Sequence, residues 1–328
     1  MDRQRAAAIE ALQLAARVCR NVQQDLIPHA PVEKPDRSPV TVADFASQAV
    51  VCRHLARAFP GDAIVGEESA QLLRSASGRT TLEHVVSHVR SVAGTASADD
   101  VLDWIDLGNS SPTDRFWTLD PIDGTKGFLR REQYAIALAL IENGRVVLGA
   151  LACPELPVDA GFPQVRGILC HARRGQGACL RPLDGDATDQ PMRTGATVDL
   201  GEARFVESVE SGHAHHEAHQ QIATRLGIHA APLRLDSQAK YAAVARGDAS
   251  IYLRLPSPRT PDYRECIWDH AAGACVVEEA GGTVTDATGQ PLDFGCGAKL
   301  ERNRGVVATS GPIHTTVIDA CLEALSRA

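Results

Sequence analysis

The segment Asp120-Pro121-Ile122-Asp123-Gly124-Thr125 holds the densest chemistry in the chain. Its two carboxylates, separated by a proline-fixed turn, can face one point, and the Ile122 carbonyl can join them. Carboxylates, carbonyls and retained water are the donors that Mg²⁺ prefers. Gly124 lets backbone approach an anion closely, and the N–H groups after it can hold a phosphate at a helix start. Glu67-Glu68 adds adjacent carboxylates behind a short apolar run, suited to one metal each or to one metal and a supporting partner. Trp268-Asp269 adds a carboxylate at what reads as a helix opening. Each cluster alone is more often a solvated acidic turn or an N-cap. Together they are the parts of a two-metal phosphoryl-transfer site, with Asp44 and Thr125 as candidates to accept a water's proton.

These groups need elements to position them. Residues 3–26 read as a helix with Ala8, Leu12, Ala15, Cys19 and Val22 on one stripe, ended by Pro28, Pro31 and Pro35. Thr41 is expected to cap a second helix that carries Asp44 in its first turn and Val51, Leu55 and Phe59 on one face. A strand over 63–65 delivers Glu67-Glu68, and one over 116–119 delivers Asp120. Strands over 134–141 and 146–152 flank Asn143-Gly144, a two-residue hairpin signal, and 168–171 with 178–180 reads as a second hairpin. From about 185 strands (204–209, 250–255, 283–285) alternate with helices (217–226, 240–245, 271–280). The stretch 70–114 reads as a partly helical insertion. The expectation is an α/β protein with an α+β N-terminal lobe over 1–184, an α/β C-terminal lobe over 185–328, and a site between them.

Composition excludes several classes. The 328 residues carry 33 Lys plus Arg against 41 Asp plus Glu, a net charge of −8, which argues against a duplex-DNA binder. Aromatics are 4%, too few for a single-strand stacking platform. No apolar run spans a membrane, and the first residues lack a secretory pattern. The nine cysteines are odd in number and contain no C-x-x-C pair, which points to free thiols in a reducing cytoplasm. His215 and His219 lie one helical turn apart but lack the H-E-x-x-H pattern, so a solvated helix start is expected there.

Gly66-Glu67-Glu68-Ser69, Asp120 through Thr125, and Trp268-Asp269 together resemble the signature of the inositol monophosphatase superfamily of Mg²⁺-dependent, lithium-sensitive phosphatases. Within it the chain is most similar to the 3′(2′),5′-bisphosphate nucleotidases. Further stretches carry the similarity: Ser38-Pro39-Val40-Thr41 with Asp44, Lys126-Gly127-Phe128, and 208–213, 235–241, 252–256, 267–273 and 291–295. It covers nearly the whole chain except about 70–114 and 184–200.

The resemblance implies a layered αβαβα sugar-phosphatase fold and two or three Mg²⁺ per site. Glu67, Asp120, the Ile122 carbonyl, Asp123 and Asp269 would hold the metals. Asp44 with Thr125 would orient or deprotonate the nucleophilic water, and Glu68 would help place a third metal or that water. Gly124, Thr125, His213, Ser237, Lys240, Arg254 and Asp269 would contact the nucleotide, with Lys240 as point charge and Arg254 as fork on its second phosphate. The implied reaction is hydrolysis of the 3′-phosphate of adenosine 3′,5′-bisphosphate to AMP by metal-activated water, with 3′-phosphoadenylyl sulfate as second substrate. An inositol phosphate phosphatase and a non-catalytic nucleotide sensor are the rivals. The partner is a small nucleotide, not nucleic acid or membrane; a monomer is expected, with a dimer as the alternative.

Overall fold

The run Ala135–Glu142 is buried at every residue but its last, so it must be covered on both faces. Successive side chains of a strand point to opposite faces. Ile136, Leu138 and Leu140 enter one apolar core, while Ala135, Ala137, Ala139 and Ile141 enter another. That division organises the molecule. The computed structural model describes residues 2–25, 32–33, 39–159, 162–185, 188–196, 199–209, 216–257, 260 and 262–326.

The first core lies under helices α1 (Arg3–Asp25) and α2 (Val42–Ala58). The segment 70–114 forms α3 (Arg79–Ala93) and α4 (Ala98–Asp106). Both pack on α2 and give Val85, Val89, Val101, Leu102 and Ile105 to the same core. After the short pair β1 (Val32–Glu33) and β2 (Pro39–Val40), a seven-stranded sheet follows. Its members are β3 (Ala63–Gly66), β4 (Arg115–Asp123), β5 (Ala135–Glu142), β6 (Arg145–Pro157), β7 (Arg166–Arg173), β8 (Ala178–Pro182) and β9 (Gln190–Met192), side by side in chain order. Only β3 and β4 pair in parallel; the other neighbours are antiparallel. The five-residue α5 (Thr125–Leu129) follows β4 directly.

A second sheet runs β11-β10-β12-β14-β13. Its strands are β10 (Phe205–Glu207), β11 (Leu233–Arg234), β12 (Ile251–Arg254), β13 (Thr283–Thr285) and β14 (Val306–Thr309). Helices α7 (Ala239–Arg246) and α8 (Ala271–Glu279) lie between the sheets, sharing a core with inward residues of both. The outer face of the second sheet is closed by α6 (His216–Leu226) and α9 (His314–Ser326) around Phe205, Ile251, Leu253 and Val307. The layers therefore run αβαβα.

Four local expectations shift. The first sheet continues through β9 beyond residue 184, because Ala178 pairs with Met192. The strand expected to stop at Leu119 runs to Asp123, with a break in register between Asp120 and Asp123 that leaves Pro121 and Ile122 without ladder partners. Trp268-Asp269 does not open the helix itself but lies in a 3-10 turn (Ile267–Asp269) before α8. His219, expected in a solvated helix start, is buried with Nδ1 3.1 Å from Glu207 Oε1. Among the described residues no helix is long and apolar enough to cross a membrane.

Candidate active site

Asp44 owes its position to a capping box. Thr41 caps α2, its Oγ1 accepting from the Ala43 N–H at 3.0 Å. Asp44 Oδ2 accepts from the Thr41 N–H at 2.8 Å and its hydroxyl at 2.6 Å. Thr125 Oγ1 lies 3.5 Å from the other oxygen, Oδ1, and 3.3 Å from the Ile122 carbonyl. One turn on, Ser47 donates to the Pro121 carbonyl at 2.9 Å, binding α2 to the register break. Asp44 is 1% exposed.

Glu67-Glu68 is clamped by Gln48. The Gln48 carboxamide accepts from the Glu68 N–H at 3.0 Å and donates to the Glu68 carbonyl at 2.5 Å and the Ile105 carbonyl at 2.9 Å. The segment 70–114 closes the clamp, since Gly66 N–H donates to the Gly108 carbonyl at 2.8 Å. A Cβ on Gly66 or Gly108 would lie 2.6 or 2.5 Å from the Gln48 carboxamide and would push it off its backbone partners. Glu68 is buried and Glu67 partly so.

The segment 235–240, between β11 of the second sheet and α7, reaches the site. Asp236 accepts from the Val209 N–H at 3.1 Å and pairs with Arg130 of the first lobe. Ser237 is held at φ +68°, a conformation rare for a residue with a side chain. A Cβ on Gly124, itself at φ +86°, would lie 3.0 Å from the Ser237 Cβ. The Gln238 N–H donates to Asp123 Oδ2 at 2.6 Å. Lys240 is buried with Nζ 5.3 Å above the Tyr252 ring. Arg254 Nε donates to Glu265 Oε1 at 3.0 Å, and Glu265 Oε2 lies 3.4 Å from His270 Nε2. The Tyr241 hydroxyl is 2.7 Å from His270 Nδ1. His213 lies outside the described residues.

Electrostatics shows that the acidic groups converge. Burial pushes the Asp120 carboxyl well above its usual range, and Glu67, Asp123, Asp269 and Asp44 push it further. Asp269 is raised by burial and then by Asp123, Glu67 and Glu265. Asp123 is raised by burial, held back by Lys240 and the Gln238 N–H. Lys240 is lowered by burial to about 8, while Asp123 and Asp236 oppose that fall. Burial alone would raise Glu265, but His270 and Arg254 hold it down at about 2. Asp44, Glu67, Asp120, Asp123 and Asp269 thus share one low-dielectric space, an all-oxygen donor set with too few protein cations to balance it. This is the environment a hard divalent cation fits.

Sequence reading missed Gln48, Gln238, Glu265 and His270. Their local sequence carries no signal: Gln48 lies among Ser47, Arg53 and His54, and Gln238 between Ser237 and Lys240.

An αβαβα protein with a cluster of buried and half-buried carboxylates belongs to the class of layered α/β proteins with a candidate metal centre. More specifically, the Inositol monophosphatase family profile matches residues 2–326, and the chain belongs to that family of metal-dependent enzymes. It is 41% identical to "3′(2′),5′-bisphosphate nucleotidase" of Schizosaccharomyces pombe, over 99% of this chain and 97% of the relative. It is 43% identical to the Oryza sativa protein of the same name, over 98% and 94%. Among solved structures, the Thermotoga maritima IMPase superposes with a TM-score of 0.67 at 20% identity, covering 100% of this chain and 99% of that one. Inositol monophosphatase from Anabaena gives 0.62 at 22% identity, over 97% and 94%.

Proposed function

We propose that this enzyme is a Mg²⁺-dependent 3′(2′),5′-bisphosphate nucleotidase. It removes the 3′-phosphate of adenosine 3′,5′-bisphosphate to give AMP and phosphate, and it also accepts 3′-phosphoadenylyl sulfate. The observation that carries the reading is a carboxylate cluster accompanied by two cations: Lys240 is buried over the Tyr252 ring with Asp123 favouring its charge, and Arg254, held by Glu265, favours the charged form of Asp269. A substrate with two phosphates needs both halves. Relatives named for this activity, similar over nearly the full length, support it.

Glu67, Asp120, the Ile122 carbonyl, Asp123 and Asp269 are the residues that would hold two or three Mg²⁺. When bound, Mg²⁺ supplies positive charge to the phosphoryl and leaving oxygens and lowers the pKa of water. Asp44 and Thr125 orient the attacking water, and Asp44 Oδ1 takes its proton. Glu68 supports this water-facing side. Gly124 and Thr125 turn the backbone toward the phosphate, and Lys240 and Arg254 hold the second phosphate. Ser237 and His213 contact the nucleotide. Hydrolysis is direct, since the sequence holds no Cys or Ser nucleophile motif, and burial pushes the Cys266 thiol up. All nine cysteines are free thiols, which supports a reducing, cytoplasmic setting.

Phosphate release with Mg²⁺ across adenosine 3′,5′-bisphosphate, 3′-phosphoadenylyl sulfate and inositol 1-phosphate tests the reading. The two nucleotides should give the higher kcat/KM. A higher value for inositol 1-phosphate would transfer the enzyme to inositol phosphates, and binding without release would make it a sensor.

A further inference from the structure

Gln238 stands at the N-cap of α7, where a side chain ordinarily turns back onto its own helix. It makes no capping bond. Its Nε2 donates to the Trp268 carbonyl at 2.8 Å and its Oε1 accepts from the Gly273 N–H at 3.1 Å. These two bonds straddle Asp269. The same residue's backbone N–H donates to Asp123 Oδ2 at 2.6 Å. One residue, 2% exposed, therefore touches the first lobe's acidic turn and both ends of the second lobe's acidic turn.

We infer that Gln238 is a positioning residue that fixes the separation between the Asp123 and Asp269 carboxylates and so sets the enzyme's metal affinity. Three surroundings make the link stiff. Gly273 packs on Tyr241, where a Cβ would fall 2.3 Å from the ring. The Asp236–Arg130 pair and the Ser237–Gly124 contact hold the backbone of 236–238 against the first lobe. The Trp268 carbonyl lies within the 3-10 turn and the Gly273 N–H in the first turn of α8, where N–H groups find no acceptor in their own helix. A buried carboxamide that answers both aligns Asp269 without touching the ion. Partners of this kind typically change metal affinity 10- to 100-fold.

The inference rests on Asp123 and Asp269 being metal-facing, and the test separates the two claims. Mn²⁺ binding to the full-length protein is measured by calorimetry for wild type, Gln238→Met and Gln238→Asn. Methionine keeps the volume and removes both side-chain bonds; asparagine keeps the amide but is one methylene too short to span both partners. Both variants should raise the Mn²⁺ dissociation constant by about 10- to 100-fold, methionine more. The half-saturating Mg²⁺ for phosphate release should rise in parallel, with KM for substrate unchanged at saturating metal. Folded variants that bind Mn²⁺ as wild type does, or that show only a lower melting temperature, would overturn the positioning role. Wild-type protein that binds no Mn²⁺ would instead overturn the metal reading beneath it.

Discussion

Thr125 Oγ1 stands 3.5 Å from Asp44 Oδ1, while the second oxygen of Asp44 is occupied by Thr41. The capping box thus aims one carboxylate oxygen at the hydroxyl that begins α5, joining two elements distant in sequence. Thr125→Val keeps the shape and removes the hydroxyl. It should lower kcat by about 10²- to 10⁴-fold, the usual range for a lost proton-transfer group, with a small change in KM. Thr125→Ser should keep most of the rate. Equal losses in serine and valine would mean that Thr125 only packs.

Asp120 offers a trade between stability and turnover. Its folded pKa is raised by burial and then by Glu67, Asp123 and Asp269. A carboxyl with a raised folded pKa contributes stability that is fully present below its unfolded value of about 4 and is lost as pH rises through the folded value. Buried histidines such as His171 and His314, lowered by burial, titrate with the opposite effect, so the difference between two proteins is the useful quantity. Metal-free Asp120→Asn should be more stable than metal-free wild type at neutral pH, and the gap should widen from pH 4 upward. Saturating Mg²⁺ should close it, and the variant's kcat should fall by about 10²-fold or more. Denaturant midpoints across pH, with and without Mg²⁺, check this; an unchanged gap would detach Asp120 from the cluster.

The layers were legible in the sequence where period and punctuation were strong. Asn143, at φ +50°, and Gly144, at φ +73°, form the turn between β5 and β6, and Thr41 caps α2 with Asp44 in the first turn. The acidic motifs were legible because carboxylates beside glycine and proline are rare inside apolar surroundings. What was not legible is long-range and polar. Nothing local in Gln48 or Gln238 tells that a carboxamide will answer backbone groups tens of residues away. The break in register between Asp120 and Asp123 likewise depends on how β4 meets β5 and on Ser47 of α2. The segment 70–114 read as an insertion because it meets the site through backbone groups, the Gly108 carbonyl on the Gly66 N–H and the Ile105 carbonyl on Gln48, which side-chain patterns do not show.

Arg254 and Glu265 should govern the second phosphate. Glu265 is held down at about 2 by His270 and Arg254 against burial, so its carboxylate stays charged in the neutral range and keeps Arg254 in place. Arg254→Ala should raise KM for adenosine 3′,5′-bisphosphate about tenfold or more, since one charge-assisted bond is worth about 1.5–3 kcal/mol. KM for a nucleoside 3′-monophosphate should move much less. Glu265→Gln should act in the same direction with a smaller effect, because the amide still reaches Arg254 Nε. Equal effects of Arg254→Ala on both substrates would remove it from recognition of the second phosphate.

Gln48 should be a stability residue whose loss is felt at the metal-facing turn. Its carboxamide satisfies the Glu68 N–H, the Glu68 carbonyl and the Ile105 carbonyl in a buried space. Truncation leaves three backbone groups without that partner, each worth about 1–3 kcal/mol. Gln48→Ala should therefore cost about 3 kcal/mol or more, read as a lower denaturant midpoint with an unchanged slope. Gly108→Ala pushes a methyl group into the same carboxamide, 2.5 Å from its nitrogen, and should destabilise by about 1–3 kcal/mol through overpacking. Because both act on one group, the double variant should cost less than the sum of the two. Full additivity would show that Gly108 does not work through Gln48, and a cost under about 0.5 kcal/mol for Gln48→Ala would show that the clamp does not brace Glu67-Glu68.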